Sequence, residues 1–338
     1  MLRNLKAGAS NVQSFLEELR AANYFGNGAL LVDEFDTLIL DDIRRESILW
    51  NRIDKRLAPG ETTNGFDQTG IATGRATPRR TLGFTATGPT RVARTPQTVK
   101  AIVSDTTFGI FDRSVYQQQG RRFGNLEQKD VQDLAVACIR QWASEAYLGS
   151  ASGDDDEFNG LRTLVPSGTT IQDSESIVTG ICDACIAMTN GTSVVTRPSA
   201  IYVNAAVIQM INMEYAKIGD KLLYAPIKVG DSIFDTAQIA TPIGYLPLIA
   251  DPWNTVVAGT PNVYPTFILD ESKLSWQYVE VLGAPGADPK TFEIAMTNGL
   301  DVQYKSVMFG ALEILGSATH VKRLNIESRT TPISIVGS

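Results

Sequence analysis

Residues 58–99 read APGETTNGFDQTGIATGRATPRRTLGFTATGPTRVARTPQTV. These 42 residues hold eleven Thr, six Gly, five Arg and no Lys, and they lie between a charged helical pattern and a strongly apolar β pattern. The stretch is too polar to bury and too long for an ordinary connection, since structureless loops beyond about 12–15 residues are uncommon in compact domains. Thr favours extended backbone, and Arg79 and Arg80 stand just ahead of an apolar–polar alternation, Thr81, Leu82, Gly83, Phe84, Thr85. The pattern predicts a long β-hairpin arm that takes its order from a neighbouring subunit.

The rest of the chain is that of a folded protein. At 338 residues and 43% apolar it can bury a large core in one extended domain or two. A net charge of −7, with acids and bases interspersed, excludes a surface built to grip nucleic acid by neutralising phosphates. Three cysteines argue against a disulfide framework and fit a reducing compartment. The first residues lack the apolar run of a signal peptide, and no run of about 18 apolar residues could span a bilayer.

Element signals follow the chain. Ser10 with Gln13 has capping-box spacing, which predicts a helix over 11–22. A second helix is expected over 40–57, with Ile43, Trp50, Ile53 and Leu57 on one stripe, stopped by Pro59-Gly60. Residues 98–111 alternate like one or two strands. Asn125 with Gln128 begins the longest helix, to Leu148, whose apolar face is Val131, Leu134, Ala135, Cys138, Trp142 and Ala146. Ser174 is expected to cap a helix running to Met188, residues 200–203 form a short strand, and Asn204 caps a helix to Ala216. Short strands broken by Pro and Gly are expected over 227–257, and strands again over 274–281 and 302–326.

The chemical motifs are sparse. His320, the only histidine, has neither a nucleophile elbow nor an H-E-x-x-H pattern around it and reads as a surface or strand-end residue. Cys182 and Cys185 have C-x-x-C spacing, but they fall inside an apolar helical pattern and Cys138 is on another helix, so they read as core cysteines. Residues 154–157, Asp-Asp-Asp-Glu, lack EF-hand spacing and read as a solvated turn. Phosphate-cradling glycine loops are absent from the sequence. No catalytic residue, cofactor or metal is expected, so the chain does not read as an enzyme.

The order of parts is itself a pattern: N-terminal arm, charged helix, long extended loop, strand pair, long helix, and a mixed domain whose last strands return to the first. With Phe158-Asn159-Gly160-Leu161 after the long helix, Ile201-Tyr202-Val203-Asn204 ahead of a helix, and the Pro-rich strand region 233–252, the chain resembles the major capsid proteins of tailed bacteriophages, the Hong Kong 97-type fold. The resemblance runs from about residue 30 to 326. It implies an α+β architecture with an N-terminal arm and charged helix (1–57), an extended loop (58–97), a peripheral domain carrying a long spine helix (98–158 and 302–338) and a central axial domain (159–301).

The resemblance further implies a structural protein that assembles with itself into pentamers and hexamers, forming an icosahedral virion shell around double-stranded DNA without sequence-specific contacts. Assembly would take place in the host bacterial cytoplasm, away from membranes, with separate scaffolding, portal and decoration or cement proteins. Arg75, Arg79, Arg80, Arg91 and Arg94 would reach across subunits, because guanidinium groups engage carboxylates bidentately. The acids of 33–46, or Asp130 and Asp133, are their expected partners. Some relatives weld subunits through a loop lysine, and no Lys occurs between Lys55 and Lys100, which predicts a non-covalent shell. The early first helix predicts no scaffolding segment removed by a protease. Three other readings compete: an encapsulin-type nanocompartment with the same fold, an α+β enzyme with an unfamiliar site, and a phage adaptor or decoration protein.

Overall fold

Three tryptophans from distant parts of the chain meet edge to face in one of two apolar cores. Trp50 stands 4.8 Å from Trp142 and 6.3 Å from Trp276, 5.8 Å separates Trp142 from Trp276, and Phe158 lies 5.1 Å from Trp276. Such pairs contribute about 0.5–1.5 kcal/mol each beyond the area they bury. The computed structural model describes residues 47–70, 88–111, 114–115, 126–151, 156–166, 168–190, 196–217, 219–229, 232–295, 301–316 and 320–329. The helix expected over 11–22, the start of the one over 40–57, and the loop tip with Arg75, Arg79 and Arg80 lie outside the described residues.

The described helices are α1 (Ile48–Arg52), α2 (Leu126–Leu148), α3 (Leu161–Leu164), α4 (Ile177–Thr189) and α5 (Ala205–Lys217). The early strands are β1 (Asp54–Leu57), β2 (Phe66–Gly70), β3 (Thr90–Ala93), β4 (Lys100–Phe108), β5 (Gly168–Ile171) and β6 (Ala200–Val203). Then come β7 (Leu223–Val229), β8 (Ser232–Thr241), β9 (Gly244–Ala250), β10 (Val263–Leu269) and β11 (Leu274–Val279). Last are β12 (Lys290–Ala295), β13 (Val302–Ile314) and β14 (Val321–Glu327).

One sheet is organised by β13. It pairs with β4 through residues 302–310, with β12 through 302–307 and with β11 through 309–314. Because β4 shares residues with both others, β4 takes one edge and β12 and β11 lie end to end on the other. The long helix α2 packs on β4 and β13 with Leu134, Cys138, Trp142 and Ala146 buried, the spacing of one helical stripe. At 1.5 Å per residue its 23 residues span about 34 Å.

The second sheet runs β5-β14-β10-β6-β9-β8-β7. All four residues of β6 are buried, and their parity separates two cores: Ala200 and Tyr202 join the tryptophan cluster, while Ile201 and Val203 join a second cluster with α4 and α5. A strand covered on both faces reads as a continuous apolar run, which is why 200–203 is legible in sequence. α4 contributes Ile177, Ile181, Cys185 and Met188 to that second core, and α5 contributes Val207, Met210 and Ile211.

Several sequence expectations change. The helix through Trp50 ends at Ile53, whose backbone is extended (φ −82, ψ 151), and residues 54–57 form β1, parallel to β11. Backbone bonds to a strand some 220 residues later override the local helical pattern, and Leu57, placed on the buried stripe by periodicity, is 59% exposed. α4 is capped by Ser176, whose hydroxyl accepts the Thr179 N–H, rather than by Ser174. The short strands expected over 227–257 are a meander of three long ones, β7 to β9. β11 and β12 share a sheet with β13, and β14 lies in the other sheet with β10, so both sheets cross the 301/302 boundary.

Candidate functional site at the root of the extended loop

The chain enters and leaves the extended loop through a narrow antiparallel ribbon. β2 pairs with β3, placing Phe66 opposite Ala93 and Asp67 opposite Val92. Below them the Arg94 N–H donates to the Gly65 carbonyl at 2.9 Å, Thr63 N–H to the Gln97 carbonyl at 2.8 Å, and Val99 N–H to the Glu61 carbonyl at 2.9 Å. The buried Thr63 hydroxyl accepts the Gln97 N–H at 3.0 Å. Thr and Gly therefore have different tasks here: Thr bridges the two legs, and Gly65 leaves room, since a Cβ there would run into the Arg94 guanidinium.

Alternation on the ribbon divides two of the five loop arginines. Phe66, Gln68, Arg91 and Ala93 share one face, where Phe66 is 75% exposed and Arg91 is exposed. Arg94 turns the opposite way and is held by two carboxylates of its own subunit: Nε lies 2.9 Å from Asp67 Oδ1, and Nη1 lies 3.2 Å from Glu313 Oε2. Burial raises the Glu313 carboxyl above its ordinary value, with the Arg94 charge opposing the shift. The clamp joins the loop to β13. Asn159 adds a second tie, donating from Nδ2 to Gln97 Oε1 at 2.9 Å while its Oδ1 accepts the Ala151 N–H at 3.1 Å. Between these ties lies a groove of about 520 Å³ lined by Val92, Arg94, Asn159, Leu164, Pro166 and Ile314.

Asp130 and Asp133 lie on α2, and Asp133 pairs with Lys129 one turn away at 3.0 Å. Asp67, Gln97 and Glu313 have no place among the sequence motifs, and Asn159 enters only within the Phe158-Asn159-Gly160-Leu161 motif. Asp67 carries a signal, being one of only two acids in residues 58–99; the roles of the other three depend on the long-range contacts Arg94–Glu313 and Asn159–Gln97.

The remaining candidates are structural. His320 is buried rather than superficial, with Nδ1 3.1 Å from Thr196 Oγ1 and 3.7 Å from Asp270 Oδ2 at the start of β14, and burial lowers its pKa. Cys138 and Cys185 are fully buried and Cys182 half-buried; burial pushes the Cys185 thiol up to about 12, far from a nucleophile's range. Asp154 and Asp155 lie outside the described residues. Among the described residues, no three His, Cys, Asp or Glu side chains gather as metal ligands, and no helix is long and apolar enough to cross a membrane.

A comparison with family models and with curated proteins gives no match in sequence. Solved structures match over nearly the whole length. The holo-SrpI encapsulin complex from Synechococcus elongatus PCC 7942 superposes with a TM-score of 0.62 at 11% identity, covering 92% of this chain and 97% of that one. The capsid of the native GTA particle gives 0.60 at 11% identity, covering 90% and 98%. The fold is the Hong Kong 97-type shell fold. The capsid of Myoviridae phage XM1 adds a TM-score of 0.56 at 11% identity, covering 88% and 99%. Within this fold, the polar cluster of Arg94, Asp67 and Glu313 ties the root of the extended loop to β13 of the same subunit.

Proposed function

We propose that this chain is the shell-forming subunit of a phage-type head, assembling with itself into pentamers and hexamers that close around double-stranded DNA in a virion. The observation that carries the reading is the match in fold over at least 88% of this chain and 97% of the matched shell proteins. Two features support it. The loop is fixed at its root by Arg94, Asp67, Glu313 and Asn159, so an arm can transmit force to a neighbour without unravelling its own subunit. The outer face of the ribbon offers Phe66 and Arg91, an apolar and a cationic group, to whatever it meets.

In this reading Arg75, Arg79, Arg80 and Arg91 are the loop arginines that reach neighbouring carboxylates, those of 33–46 or Asp130 and Asp133, while Arg94 acts within the subunit. Residues 1–57, 58–97, 98–158 with 302–338, and 159–301 serve as arm, loop, peripheral and axial parts, with β11 and β12 of the axial span joining the β13 sheet and β14 joining the sheet of β10. Scaffolding, portal and decoration proteins are separate partners, assembly takes place in the host cytoplasm, and the role is structural rather than catalytic. Each exposed ion pair contributes only about 0–1 kcal/mol, and closed symmetry multiplies it.

The second reading, an encapsulin-type compartment, is favoured by the SrpI match. The test is to express the chain alone and examine it by negative-stain electron microscopy and mass photometry at low and moderate salt. Rings of five or six, sheets or closed shells are expected. A stable monomer that stays monomeric with virion partners supplied overturns the proposal. Shells filled by a co-expressed protein rather than by DNA select the compartment reading.

A further inference from the structure

Leu282 departs from two rules at once. Its backbone lies at φ +50, a region that glycine and asparagine tolerate and leucine does not. Its side chain is 88% exposed, the most exposed large apolar side chain among the described residues. Gly283 follows at φ +73, and the Ala284 N–H donates to the Val281 carbonyl at 2.9 Å, so residues 281–284 close a tight turn whose two central residues are both left-handed. Turns of this kind ordinarily carry Asn-Gly, Asp-Gly or Gly-Gly. An aliphatic side chain held in water on a strained backbone gives almost nothing to its own subunit.

The turn leaves the first sheet at the end of β11, and β1, which runs parallel to β11 with Leu57 opposite Tyr278, leaves at the same end. Leu57 is itself 59% exposed there. That end of the sheet therefore presents two large aliphatic side chains, beside an edge strand whose four residues are all exposed. Large apolar side chains left exposed at one end of a sheet suit a surface that association covers. In an assembly of identical chains one such contact recurs on every subunit, so a single leucine is multiplied by symmetry.

We propose that Leu282 is an anchor that inserts into an apolar recess of a second copy of this chain, so that its backbone strain is offset only in the assembly. The proposal rests on the shell reading above. It is tested with Leu282→Asn and Leu282→Gly, which suit the left-handed backbone and remove the side chain's apolar body, and with Leu282→Met, which keeps that body.

The expected result separates the subunit from the shell. Unassembled L282N melts about 1–3 °C above the parent chain, while L282N and L282G need a roughly tenfold or greater subunit concentration to form shells. L282M assembles as the parent does. Assembly of L282N and L282G at the parent's concentration overturns the anchor, and so does a lowered melting temperature of the L282N subunit, because Leu282 would then serve its own fold. If the parent chain never assembles, the shell reading and the anchor fall together. If only the variants behave like the parent, the anchor falls alone.

Discussion

The guanidinium of Arg94 lies 2.9 Å from the carboxylate of Asp67 across the root of the hairpin, both on the face turned toward Glu313 of β13. Arg91, three residues earlier, occupies the opposite, exposed face. Two arginines of one polar stretch thus have opposite assignments, fixed by strand parity.

Replacing Arg94 by Ala leaves the Glu313 carboxylate, with a side chain only 6% exposed, beside Asp67 without their shared cation. Breaking a largely buried pair from one side is costly, and a loss of about 2–3 kcal/mol is expected in denaturant melts of the unassembled subunit. Arg91→Ala, at an exposed position, should change that stability by less than about 0.5 kcal/mol and act only on assembly. Equal losses from both would refute the division.

Glu271 is the hub of a second polar cluster. It accepts both arms of Arg52, at 2.5 and 2.7 Å, with the Tyr202 hydroxyl at 2.7 Å and the Ser199 hydroxyl at 3.0 Å. The bidentate bond to Glu271 holds the Arg52 pKa above its ordinary value, against the desolvation of a half-buried site. Glu271→Ala should cost about 3–4 kcal/mol, and Tyr202→Phe only about 1 kcal/mol, the scale of one net hydrogen bond. A milder effect of E271A than of Y202F, read by urea melts, would contradict this ranking.

His320 makes stability depend on pH in a stated direction. Burial lowers its folded pKa below the ordinary 6.5, with Asp270 opposing the shift and Lys273 adding to it. The unfolded chain therefore takes up the proton first as pH falls. Its contribution is complete above pH 6.5 and is lost progressively below it. His320→Gln should flatten that part of the melting-temperature profile between pH 7.5 and 5.5, whereas an unchanged slope would show that other groups set it.

No lysine lies between Lys55 and Lys100, so loop amines are unavailable for a bond between subunits. Assembled material boiled in SDS should run as one band at 36.7 kDa. Ladders of multiples would refute a non-covalent shell.

The parts legible in sequence are those whose signals are local. The stripe Leu134, Cys138, Trp142, Ala146 identifies α2, the run 200–203 identifies β6, and Asn204, whose Oδ1 accepts the Ala206 N–H at 3.0 Å, marks the start of α5. What is not legible depends on distant partners. Residues 54–57 carry a helical stripe and form a strand because Ser275–Tyr278 supply a ladder. The aim of Arg94 is set by a register that pairs Asp67 with Val92, and the buried state of His320 by Thr196 and Asp270 closing over it. Periodicity reports which residues want burial; it carries no information about which of two sheets receives β14.

The parity of β6 has one more effect. Slipping this strand by one residue would exchange Ala200 and Tyr202 with Ile201 and Val203, and because both faces are apolar the slipped alignment would lose little hydrophobic burial. Only one alignment brings a phenol hydroxyl to Glu271. The Tyr202–Glu271 contact thereby adds a polar preference of about 1 kcal/mol for the observed alignment, one that burial alone does not supply.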